Sequence, residues 1–165
     1  MTGALDPARA RELVAREAAC LDERRWDDWL AMYEEDACFW VPARTAQGEP
    51  TADPERELSL IYYTKRARLA ERVQRLRSGK SLASAPLLRT VHLLGPVAVE
   101  PGEGGTLLCR TPFHVDLYDP RTQKAHAYFG HYHHTLVDIG GGLIRLKKIL
   151  LANDRLEIVL DVYSI

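Results

Sequence analysis

Trp26-Asp27-Asp28-Trp29-Leu30-Ala31-Met32-Tyr33 leads into Asp36-Ala37-Cys38-Phe39-Trp40-Val41-Pro42, and the change of pattern between the two stretches decides the fold class. In the first, Trp26, Trp29, Leu30 and Tyr33 recur at helical spacing and make one apolar face, which reads as a short helix over Trp26 to Tyr33. In the second, Cys38 to Val41 is aromatic and β-branched and stops at Pro42, as a strand does. A helix therefore hands over to a strand within a few residues.

Upstream, Leu13, Val14, Ala18 and Leu21 follow the helical period from Ala8 to Arg24, and Asp6-Pro7 supplies a cap with proline in the first turn. Two helices meeting at a sharp angle are implied. Downstream, a polar loop lasts until about Pro54. A third helix is expected over Tyr63 to Leu76, with Leu69, Ala70, Val73 and Leu76 on one side and Lys65, Arg66, Arg68, Arg72, Gln74 and Arg75 largely on the other. Ser78-Gly79 ends it.

After Pro86 the period changes to two. Thr90 to Val99 reads as a strand interrupted at Gly95-Pro96, and Leu107 to Tyr118 as another, in which Phe113, Val115 and Leu117 alternate with His114, Asp116 and Tyr118. Asp119-Pro120 marks a turn, Lys124 to Val137 a third strand, Gly140-Gly141-Gly142 a turn and Leu143 to Leu151 a fourth strand. Arg155 to Tyr163 is expected to add a terminal strand with Leu156, Ile158, Leu160 and Val162 on one face. Helices first and an antiparallel meander afterwards indicate an α+β fold, one domain over residues 1–165, with a curved antiparallel sheet wrapped around the helices.

The 165 residues suit one domain able to bury roughly 70% of its unfolded surface. Twenty-two basic against 23 acidic residues leave a formal charge of -1, which gives no global attraction to nucleic acid or an anionic membrane. No stretch approaches the roughly 20 apolar residues of a membrane span, and the N-terminal helix lacks the apolar centre of a signal peptide. A cytoplasmic location is expected. Cys20, Cys38 and Cys109 are few, odd in number and widely spaced, which argues for free buried thiols and against a disulfide framework.

Several segments taken together resemble the small, beta subunit of aromatic-ring-hydroxylating, Rieske non-haem iron dioxygenases. They are Leu21-Asp22 with Trp26-Asp27-Asp28-Trp29-Leu30, Phe39-Trp40-Val41-Pro42, Asp53-Pro54, Glu57-Leu58-Ser59-Leu60-Ile61-Tyr62-Tyr63, Arg89-Thr90-x-His92 and Lys147-Lys148-Ile149-Leu150-Leu151. The tyrosine pair is most similar to members acting on aromatic carboxylates such as benzoate or anthranilate. Gly95-Pro96, where many relatives have asparagine and an aliphatic residue, and the loop from Arg44 to Glu49, which lacks an acidic run, depart from the pattern.

The resemblance implies the cystatin-like cone of nuclear transport factor 2 relatives and a noncatalytic chain that assembles a multicomponent dioxygenase for catabolism of aromatic compounds. It places a Rieske [2Fe-2S] cluster and a mononuclear Fe(II) in a partner alpha subunit, with electrons from NADH through a separate reductase. It also implies an alpha3beta3 hexamer on a trimeric base of beta chains. Aromatics and arginine dominate interfaces once desolvated, which singles out Tyr62, Tyr63, Arg66, Arg89 and the terminal Val162-Tyr163-Ser164-Ile165 as contact candidates.

A Rieske cluster takes Cys-x-His and Cys-x-x-His, and no cysteine here has a histidine two or three positions on. A mononuclear iron needs two imidazoles and a carboxylate on one face. His126 and His131 lie an odd number apart and point to opposite sides of a strand, whereas His131 and His133 share a side that Asp116 or His114 could approach. Ordinary sheet residues, subunit contacts and a metal site are the three readings of these histidines. As a rival function, a stand-alone dehydratase or isomerase of the cone fold would gather Asp36, Tyr62, His92 and His131 in an apolar pocket for acid-base work. Gly102, Gly104 and Gly105 join no strand to a helix and read as a hairpin turn, not a phosphate cradle. The arginines of the third helix face solvent or an acidic partner.

Overall fold

The computed structural model describes residues 5–79 and 86–165, so the first four residues of the expected domain and residues 80–85 lie outside it. Three helices, α1 (Pro7–Asp22), α2 (Trp26–Ala31) and α3 (Arg66–Ser78), accompany seven strands: β1 (Tyr33–Pro42), β2 (Ser59–Thr64), β3 (Arg89–Leu94), β4 (Ala98–Pro101), β5 (Leu107–Asp119), β6 (Lys124–Val137) and β7 (Leu143–Leu151). Asp6 caps α1 by accepting from the Arg9 amide at 2.8 Å, with Pro7 at the first helical position. Gly79, in the left-handed region at φ 61°, closes α3.

The strands form one open sheet in the order β2-β1-β7-β6-β5-β3, with β4 also on β5. All neighbours are antiparallel except β1 and β7, so the sheet is mixed and not the purely antiparallel one expected. The first strand enters the sheet beside the last, and that closing contact is the parallel one. The helices cover one face: α1 packs across β3, β4 and β5, and α3 against β1 and β2. On β5 the burial alternates without a break, with Cys109, Thr111, Phe113, Val115 and Leu117 turned to the helices. These residues, the helix faces and the inward side chains of β6 and β7 make a single core.

Three further expectations change. Tyr33 opens β1 instead of ending α2, because the Met32 carbonyl accepts from the Ile144 amide at 2.8 Å and draws the chain onto β7. Tyr63 and Thr64 belong to a strand, Ser59–Thr64, and not to the third helix; Phe39 pairs with Tyr63 and Trp40 with Tyr62, so the third helix begins at Arg66. The segment from Arg155 to Tyr163 is not a strand. Its alternation is real, since Leu156, Ile158 and Leu160 pack on the core, but it does not join the sheet. Side chains hold it instead: the Tyr128 hydroxyl donates to the Ile158 carbonyl at 2.8 Å, and Arg72 grips Asp161 with two nitrogens. The glycines after Pro101 form one turn of 3-10 helix between β4 and β5, as the hairpin reading expects.

Gly130 marks a close approach within the sheet. Its φ is 156°, and a Cβ there would lie 2.0 Å from the Leu150 carbonyl oxygen. Only glycine lets β6 and β7 come together at that point.

Candidate functional site

The two faces of the sheet carry different chemistry. On the helix side, Glu17 of α1 and Lys147 of β7 form a buried ion pair, Lys147 Nζ donating to both carboxylate oxygens at 3.0 and 2.9 Å. Trp29 Nε1 and the Tyr33 hydroxyl also donate to Glu17, at 2.7 and 2.9 Å. The lysine nitrogen lies 4.3 Å from the centre of the Tyr132 ring, which itself stacks on Phe113. Burial would raise the Glu17 carboxyl, yet Lys147 and the indole donor outweigh it and hold the pKa below the ordinary carboxylate value. Nearby His134 is pushed down to about 3 by burial, with Lys147 adding to the effect, and is neutral.

A second tie fixes α1 to β3. Asp22 accepts from the Thr90 hydroxyl at 2.8 Å and the His92 amide at 2.9 Å, and its Oδ1 lies 2.5 Å from His92 Nδ1. Arg89-Thr90-x-His92 is thus a docking motif between strand and helix. Asp53-Pro54 and Glu57 close a loop in the same manner, Glu57 accepting from the Ala52 and Asp53 amides at 2.8 and 2.7 Å. Sequence spacing did not reveal the Glu17–Lys147 pair. A lysine between inward residues of β7, and a glutamate on the buried stripe Leu13, Glu17, Leu21, were the available signals.

The outer face of the sheet is exposed and rich in apolar groups: Val91 (54%), Leu93 (53%), Phe129 (45%) and Tyr118 toward the β3 edge, Leu58 (80%), Leu60 and Tyr62 toward the β2 edge. Between them runs a row of basic side chains, Arg110 opposite His133 and His133 opposite Lys148, with His131 two residues away on the same side. Trp40 lies under Lys148, ring centre 4.3 Å from Nζ, and donates to Ser59 Oγ at 2.9 Å.

Of the contact candidates, Tyr62 is outward beside Trp40, and Arg89 is exposed above the Tyr118 ring at 5.7 Å. Tyr63 is half-buried against the core, and Arg66 donates to the Tyr33 carbonyl at 3.1 Å. Tyr163 is 3% exposed, its hydroxyl accepting from the Leu88 amide at 3.1 Å and its ring set edgewise to Trp26, so it lies inside the chain. The four residues of the acid-base reading do not converge. Asp36 and Tyr62 are exposed on β1 and β2, His131 is exposed on the outer face, and His92 is buried on Asp22 at the far edge of the sheet. The arginines of α3 are largely engaged within the chain, Arg68 by Glu71, Arg72 by Asp161 and Arg77 by Asp27.

Among the described residues no three histidine, cysteine, aspartate or glutamate side chains gather as metal ligands. No helix of the described residues is long and apolar enough to cross a membrane.

Residues 16–158 match the family model of the ring-hydroxylating beta subunit. The chain belongs to that family. It is 36% identical to the toluate 1,2-dioxygenase subunit beta of Pseudomonas putida, over 94% of this chain and 95% of that one. It is 39% identical to the 2-halobenzoate 1,2-dioxygenase small subunit of Burkholderia cepacia, over 92% of each. The crystal structure of the beta subunit of benzoate 1,2-dioxygenase from Burkholderia mallei superposes with a TM-score of 0.76 at 32% identity, covering 98% of both chains. The fold is accordingly the cystatin-like cone of these beta subunits, and the chain is the small subunit of an aromatic-ring-hydroxylating dioxygenase, an oxidoreductase whose makeup includes a larger alpha partner.

Proposed function

We propose that this chain is the noncatalytic assembly subunit of a dioxygenase that adds both atoms of oxygen to the ring of an aromatic carboxylate. Its alpha partner carries the Rieske [2Fe-2S] cluster and the mononuclear Fe(II), receives electrons from NADH through a separate reductase, and is held in an alpha3beta3 hexamer whose beta chains form a trimeric base. The enzyme works in the cytoplasm. Membership of the beta-subunit family over residues 16–158 carries the reading, and the named substrates of its relatives, toluate and 2-halobenzoate, support an aromatic carboxylate. The exposed outer face of the sheet supplies the adhesive surface that such a role needs, with Tyr62 and Arg89 among its contacts. Holding electron donor and acceptor in fixed relation raises turnover without a ligand from this chain.

Co-expression with its cognate alpha subunit tests the reading. A stable complex that dihydroxylates benzoate or a substituted benzoate with reductase and NADH is expected, and alpha subunit purified alone should lose most of that turnover. Full activity of the alpha subunit alone, with no co-migration of this chain, would overturn it.

A further inference from the structure

Four buried side-chain atoms among the described residues have no hydrogen-bond partner in the protein: Tyr132 Oη, His134 Nδ1, His134 Nε2 and His92 Nε2. Folded interiors pair nearly all such atoms, because a buried donor or acceptor left dry is destabilising. All four belong to residues beside α1: His92 is held by Asp22, His134 feels the Glu17 charge, and Tyr132 feels both Glu17 and Asp22. Tyr132 and His134 follow one another on the inward face of β6, their rings edge to face with centres 5.8 Å apart. The neighbouring ion pair is itself incompletely engaged. Glu17 Oε1 accepts from Trp29, Tyr33 and Lys147, whereas Oε2 accepts from Lys147 alone.

The groups left over define what they can bind. A neutral imidazole offers one donor and one acceptor, a tyrosine hydroxyl offers both, and Glu17 Oε2 accepts. Burial keeps His134 neutral, its pKa pushed down to about 3, and raises the Tyr132 hydroxyl well above its ordinary value. Glu17 and Lys147 cancel one another, so these four residues carry no net charge to hold an ion. They are 0–2% exposed, which closes the site to organic molecules. Water is small, donates and accepts, and fits such a set. On β5 the direct ladder partners of Tyr132 and His134 are Thr111 and Cys109, small inward side chains that spare volume beside the two rings. Thr111 does not satisfy the rings itself, since its hydroxyl donates to the Gly95 carbonyl at 2.9 Å.

We infer that the interior between α1 and β6 is a site for internal water, which bridges the Tyr132 hydroxyl and His134 to Glu17 Oε2 and so fastens the strand to the helix. A high-resolution crystal structure of the full chain and urea unfolding of Tyr132→Phe test it. Ordered water is expected within hydrogen-bonding distance, about 2.7–3.2 Å, of the Tyr132 hydroxyl and of a His134 nitrogen. Well-ordered Tyr132, His134 and Glu17 side chains with no water between them would overturn the assignment. Phenylalanine keeps the ring that stacks on Phe113 and removes only the hydroxyl. If that hydroxyl holds water, Tyr132→Phe breaks the bridge and lowers the urea midpoint with an unchanged m value. If it is dry, the substitution removes an unpaired polar group, and a midpoint that is unchanged or raised would also overturn the assignment.

Discussion

Lys147 and Lys148 are adjacent, and the two-residue period of β7 puts them to opposite uses, one neutralising Glu17 in the core and the other lying on Trp40 at the surface. Breaking a buried pair strands the remaining charge, so Lys147→Met is expected to cost about 3–5 kcal/mol, whereas Glu17→Leu with Lys147→Met should recover much of that loss. Urea unfolding of the three proteins at pH 7 checks this. His134 sets a pH dependence of known sign. Its folded pKa, depressed to about 3 by burial, lies below the unfolded value near 6.5, so the unfolded chain takes up the proton first. Its contribution is complete above pH 6.5 and falls with acidification at up to about 1.4 kcal/mol per pH unit until the folded group also protonates. Glu17, also depressed, adds to the loss below the ordinary carboxylate range. Stability measured between pH 7 and 5 should show a shallower slope in His134→Phe than in the wild type.

At the scale of elements, β6 and β7 approach closely at Gly130, and Gly130→Ala must push the Leu150 carbonyl away or open the ladder. A loss of more than about 1 kcal/mol is expected, with thermal unfolding as the check and Ala127→Gly, on an outward strand position, as a milder comparison. The bounds of β6 and β7 were legible in the sequence because the period of two, the turn at Asp119-Pro120 and the run of three glycines are local signals. β2 was not, because Leu60 to Thr64 takes its strand character from Cys38 to Val41, a partner across a long loop. The tail shows the converse: Leu156, Ile158 and Leu160 alternate as a strand would, yet they pack on the core without joining the sheet. The site divides in the same way. That His131 and His133 share a face follows from spacing, while Glu17 and Lys147 meet from positions 130 residues apart and only the folded chain joins them.

At the scale of the whole molecule, the near-neutral net charge conceals an uneven surface, with Asp53, Glu55 and Glu57 beside Leu58 at the β2 edge and Arg110, His133 and Lys148 side by side across the outer face. Inside, the polar groups are turned on one another: Glu17 with Lys147, Asp22 with His92. This arrangement suits a chain whose work is contact with other chains, and the proposed role assigns the iron chemistry to the alpha partner. The most direct test is iron content and oxygen uptake, measured on the purified chain, the purified alpha subunit and their complex, with reductase, NADH and a benzoate substrate. Iron confined to fractions containing the alpha subunit, with coupled oxygen uptake restored by this chain, is the predicted result. Stoichiometric iron retained by this chain alone, together with oxygen consumption in the absence of the alpha subunit, would contradict it.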